Sequence, residues 1–157
     1  MNMIRYILAF LLLSVIHANA EPTGIIIGIR GSQERFDQQA FEDFAKKRNL
    51  TPVITSPYYM DRALTVIKHH NGYYELYGYS LGAQTVKQIV AYLHQTRGRM
   101  PDRIITVGAH RKTTVDFSGY NINFENYFDG SGKGNLAPGK HLVVSHDKIM
   151  RYVTDNF

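Results

Sequence analysis

The sequence predicts an α/β fold: a three-layer sandwich with a mostly parallel central sheet. Three observations carry this expectation. From Thr23 to Val107, short apolar runs of strand length alternate with amphipathic helical stretches. The first run is continuous in its hydrophobicity, as strands buried on both faces are. At mid-chain an aromatic, β-prone stretch, Tyr73-Tyr74-Glu75-Leu76-Tyr77, enters Gly78-Tyr79-Ser80-Leu81-Gly82, and a helical pattern follows at once. That is the G-x-S-x-G nucleophile elbow in the strand-turn-helix context the motif requires.

The elements follow in order. Thr23-Gly24-Ile25-Ile26-Ile27-Gly28-Ile29 reads as a buried strand ending in a polar turn, Arg30-Gly31-Ser32-Gln33. Phe36, Ala40, Phe41, Phe44 and Ala45 mark one helical face, closed by Lys46, Lys47 and Arg48, where cations suit the helix dipole. Pro52-Val53-Ile54-Thr55 is a second strand. Met60, Ala63, Leu64 and Ile67 define a second amphipathic helix, ended by Asn71-Gly72. After the elbow, Ala83, Val86, Val90 and Leu93 share a helix face that Gly98 and Pro101 terminate, and Arg103–Val107 is a fourth strand stopping at Gly108-Ala109-His110. Residues 109–120 show no helical period, and 121–128 reads as a strand. Its direction stays open, because a parallel crossover of that length is near the minimum. Asp129-Gly130-Ser131-Gly132-Lys133-Gly134 is a loop, residues 141–145 a last strand and residues 147–157 a closing helix.

The 157 residues fit one domain. Residues 1–20 are expected to be a signal peptide: a basic start at Met1–Arg5, an apolar stretch at Tyr6–Ile16 and an A-x-A site at Ala18-Asn19-Ala20. Export to a periplasm or the medium follows, with cleavage after Ala20 and residues 21–157 as the mature domain. There is no cysteine, which excludes disulfides and a thiol nucleophile. The formal charge is +5, yet lysines and arginines are scattered and form no nucleic-acid stripe. Peripheral contact with an anionic membrane surface is compatible with that charge.

A serine hydroxyl needs a base to become a nucleophile. In the chain order Ser, acid, His, partners are expected in loops after later strands. Asp129 follows the 121–128 strand, and His146 lies between the last strand and the closing helix, so both are placed at the serine's end of the sheet. His146 is then the general base and acid, with Asp129 orienting it. Asp116 is the rival acid; His141 and His110 are rival bases. The Leu81 N–H, heading the helix after Ser80, is the expected oxyanion donor. The loop at Asp129–Gly134 lacks EF-hand ligands, because Lys133 and Lys140 occupy ligand positions. It lacks a P-loop glycine at Tyr127. No metal site and no cofactor are expected.

These residues resemble the α/β-hydrolases, and more narrowly a minimal class 3 lipase or esterase without an obvious lid. Ile29-Arg30-Gly31-Ser32 is similar to that family's Arg-Gly-Ser or Arg-Gly-Thr turn, and Gly78–Gly82 to its Gly-His-Ser-Leu-Gly elbow, with Tyr79 in place of histidine. The resemblance implies that the Ser32 backbone N–H is the second oxyanion donor. It also implies an acyl-enzyme on Ser80 and a small-molecule or lipid ester as substrate. A catalytically inactive hydrolase-fold binding protein, an acyltransferase and a peptidase are the alternatives.

Overall fold

The computed structural model describes residues 23–32 and 36–157. The expected signal peptide, residues 1–20, lies outside the described residues. Six strands form one sheet: β1 (Gly24–Ile29), β2 (Leu50–Thr55), β3 (Tyr73–Tyr79), β4 (Arg103–Val107), β5 (Asn123–Phe128) and β6 (Lys140–His141). Their order is β2-β1-β3-β4-β5-β6, and every neighbouring pair is parallel. The question left open at β5 is thereby settled. Residues 108–122 cross back without an α-helix, using a 3-10 turn at Ser118–Tyr120 and burying Val115 and Phe117 against the sheet.

Helices α1 (Gln38–Lys47) and α4 (Ile149–Asn156) cover one face; α2 (Met60–His69) and α3 (Leu81–Gln95) cover the other. The sheet's alternation decides which residues meet which layer. Ile26, Tyr77, Tyr79, Ile105 and Val107 pack under α1 and α4, whereas Ile27, Ile29, Leu76 and Ile104 pack under α3. Burying an Ile or Phe side chain is worth about 1.5–3 kcal/mol, so two such cores supply the main drive for the three layers. Helix α1 begins where the Asp37 carboxylate accepts from the Ala40 N–H at 2.8 Å, a cap missing from the 36–45 periodicity; Phe36 precedes the helix and packs on Phe41.

The last strand is shorter than expected. β6 comprises Lys140 and His141, not residues 141–145. A strand persists only while a neighbour offers a ladder, and β5 stops at Phe128. After the Leu142 N–H donates to the Phe128 carbonyl at 2.7 Å, the chain leaves the sheet, with Val143 fully exposed. Helix α4 accordingly starts at Ile149, and residues 146–148 form a turn.

Candidate active site

In a parallel sheet the loops after the strands converge at one end. Here that end gathers the turn after β1, the Ser80 elbow after β3, Gly108 after β4, Asp129 after β5 and His146 beyond β6.

The elbow is as tight as its glycines imply. Ser80 has φ 53° and ψ −115°, a conformation L-residues rarely adopt, held because β3 must pass into α3 without an intervening loop. Its N–H is tied to the Val107 carbonyl at 2.9 Å. A Cβ on Gly78 would lie 2.7 Å from the Ala83 Cα, and one on Gly82 would overlap the Ile29 carbonyl oxygen. Both positions therefore require glycine for close approach, independently of backbone freedom. The Ser80 hydroxyl has no hydrogen-bond partner among the described residues and is partly exposed.

Asp129 and His146 meet, although 17 positions separate them: His146 Nδ1 donates to Asp129 Oδ2. The carboxylate is fully buried, and the imidazole is 31 % exposed. The second carboxylate oxygen accepts from the Ser131 N–H at 2.7 Å and the Ser131 hydroxyl at 2.6 Å. Burial alone would raise the Asp129 pKa. The hydrogen bonds from His146 and Ser131 override it and bring the carboxyl down to about 2. An ionised acid that fixes one ring nitrogen leaves the other, Nε2, for proton exchange.

The rivals are occupied elsewhere. Asp116 accepts from the Ser118 N–H and hydroxyl, closing a local turn. His110 Nδ1 accepts from the Lys112 N–H, and His141 stacks on Phe128 at 4.8 Å, on the outer edge of the sheet. The β1 turn lies against the elbow: a Cβ on Gly31 would be 3.3 Å from Ser80 Cβ. Ser32 therefore follows the residue that touches the serine, and its carbonyl accepts from the Tyr58 hydroxyl at 3.3 Å. The Leu81 N–H heads α3, where no preceding turn supplies an acceptor.

Three residues of this neighbourhood went unassigned in the sequence. Tyr79, buried beside Ser80, stacks on the His146 ring at 5.1 Å and donates its hydroxyl to the His146 carbonyl at 3.0 Å. Gly108, at φ 67°, lies flush with the pair; a Cβ there would be 2.9 Å from His146 Cε1. Ser131 holds the free oxygen of Asp129. The Asp-x-Ser spacing of an Asx turn was a readable sign of it. The roles of Tyr79 and Gly108 depend on where His146 arrives.

This architecture has solved counterparts. RedJ, a thioesterase from the prodiginine biosynthetic pathway in Streptomyces coelicolor, superposes with a TM-score of 0.55 over 88 % of this chain and 91 % of that chain, at 10 % identity. RedJ with a PEG molecule bound in its active site gives a TM-score of 0.53 over 88 % and 90 %, also at 10 % identity. The fold is of the α/β-hydrolase type. No protein-family model matches the chain, and no curated protein matches it in sequence. At this identity the likeness speaks for the architecture.

Proposed function

We propose that this protein is a serine hydrolase that cleaves carboxylic esters through an acyl-enzyme on Ser80. One observation carries the proposal: a buried, ionised Asp129 holds His146 by Nδ1 at the sheet end where Ser80 stands in a strained elbow. Ser80 Oγ attacks the substrate carbonyl while His146 Nε2 takes its proton, and the oxyanion is held by the Leu81 and Ser32 N–H groups. Collapse expels the alcohol, which takes the proton from His146. Water, deprotonated by the same nitrogen, then attacks the acyl-enzyme and releases the acid and Ser80. Direct contact between Ser80 Oγ and His146 forms as substrate binds, since such bonds tighten in the Michaelis complex.

Thioesters are the second substrate class, because the solved structures of like architecture include a thioesterase and the chemistry differs only in the leaving atom. We further propose that the chain is exported and cleaved after Ala20.

The test is fluorophosphonate labelling of protein beginning at Glu21, with mass mapping and with Ser80→Ala and His146→Ala alongside. An adduct on Ser80, lost in both variants, is the expected result. A protein that melts cooperatively yet takes no label overturns the enzyme reading in favour of an inactive binding protein. A panel of esters, thioesters and amides, assayed with and without acceptor alcohols, separates hydrolase from acyltransferase and peptidase.

A further inference from the structure

Beside the Asp129–His146 pair lies a shelf of bare positive charge. The loop after β4 and the loop after β5 are fastened together: the Arg111 N–H donates to the Ser131 carbonyl at 3.1 Å, and the Asn135 amide donates to the carbonyls of His110 and Thr113 at 3.2 and 3.0 Å. The joined surface exposes Arg111, Lys112 and Lys133. Residues 108–115 and 130–146 contain no Asp or Glu. Three carboxylates border them: Asp116 is engaged by Ser118, Asp129 by His146 with Ser131, and the exposed Asp147, next to His146, has an interaction of its own. Among the described residues, none of the three cations has an ion-pair partner. Elsewhere the fold pairs Arg48 with Glu75, Arg103 with Glu125 and Arg151 with Asp43, whereas Arg30, Arg62, Arg97 and Arg99 have no ion pair among the described residues. What distinguishes the shelf is that three such cations sit on two loops fastened together.

The shelf adjoins an apolar groove of about 700 Å³. Lys133, His141, Leu142, Val143 and Val144 line it where the chain leaves β6, together with Asp129 and Ser145, which adjoin His146; Arg111 and Lys112 belong to the neighbouring loop rather than to the lining. An apolar trough with one unpaired cation, Lys133, in its lining and two more, Arg111 and Lys112, on the loop fastened beside it is complementary to an amphiphile with an anionic head. Burial of its apolar part and charge pairing act together.

We infer that the substrate is a phosphate-bearing acyl ester whose phosphate is held by Arg111, Lys112 and Lys133 while its apolar part lies along Leu142–Val144. This deepens the proposed hydrolase function and rests on it. The same head-group chemistry is offered by a soluble phosphate ester and by a lipid in a membrane, so the test includes both.

Binding is measured first, because it does not depend on turnover. Decyl phosphate and decanol are titrated calorimetrically into the protein beginning at Glu21, alongside Arg111→Gln/Lys112→Gln/Lys133→Gln. Expected is about tenfold tighter binding of decyl phosphate, weakening as salt rises from 20 to 500 mM. That advantage is lost in the triple variant, whose unchanged melting temperature shows it folded. Equal binding of the two amphiphiles, or an advantage that survives in the triple variant, overturns the inference whatever the enzyme does. Turnover follows, comparing monodecanoyl glycerol with its 3-phosphate as monomers. A kcat/KM ratio of about ten for the wild type, falling towards one in the triple variant, supports it. Selective sedimentation with phosphatidylglycerol vesicles, without binding of monomeric decyl phosphate, assigns the shelf to a membrane surface and overturns the substrate role. Decyl phosphate binding with no label on Ser80 instead faults the hydrolase reading.

Discussion

Replacing Asp129 by Asn tests the electrostatic heart of the site in a way that needs no substrate. The Asp129 carboxyl has a pKa of about 2, against an ordinary value of 3.8, because the hydrogen bonds from His146 and Ser131 outweigh the cost of its burial. Tenfold in proton affinity is worth about 1.4 kcal/mol, so the ionised carboxylate contributes about 2 kcal/mol to folding. The side chain is fully buried, and solvent screening does not reduce that figure much. The sign follows from the depressed pKa. The contribution is complete above the unfolded value of 3.8 and is lost as pH falls through about 2. Urea unfolding of the wild type and Asp129→Asn at pH 7, 4 and 2 reads this directly. The wild type is expected to be more stable by about 2 kcal/mol at pH 7, with most of the gap closed at pH 2. A gap constant from pH 7 to pH 2 would refute the reasoning, since a neutral packing defect has no such dependence. In an ester assay the same variant should lose roughly 10⁴ in kcat, because an Asn amide no longer enforces the required tautomer.

Other perturbations separate strain, packing and positioning. Ser80→Gly should unfold at higher urea than Ser80→Ala by about 1 kcal/mol: glycine relieves the positive φ that alanine keeps, partly offset by its greater freedom in the unfolded chain. Gly82→Ala gains about 1 kcal/mol by helix propensity alone, yet it should destabilise by about 3 kcal/mol or more, because its Cβ would collide with the Ile29 carbonyl; a melt distinguishes the signs. Tyr79→Phe keeps the ring against His146 and loses the hydroxyl bond to its carbonyl, whereas Tyr79→Leu loses both. Steady-state kinetics should show kcat falling about tenfold in the first and about a hundredfold in the second, with KM little changed.

The candidate site was legible to the extent that its chemistry is local. A serine flanked by glycines between a strand and a helix announces itself within five residues, and steric rules suffice to say why Gly78 and Gly82 can be nothing larger. Asp129 and His146 were placed by chain order, each just past a strand. Their hydrogen bond, and the diversion of Asp116 to Ser118, came from contacts that no window of sequence contains. Tyr79 read only as a departure at the elbow; its stacking on His146 depends on the turn before α4 folding back over β3.

The fold divides along the same line. Apolar runs and 3.6-residue periods foretold β1, β3, β4 and helices α1 to α3, since burial of one face is written in the order of side chains. The direction of β5, the early end of β6 and the meeting of the β4 and β5 loops were set by backbone pairing between distant segments. Residues 141–145 have the hydrophobicity of a strand, but the ladder partner stops at Phe128, and hydrogen bonding prevails over local preference. The charge of the adjacent Arg111 and Lys112 likewise joins that of Lys133 only once two loops meet, and among the described residues none of the three has an ion-pair partner.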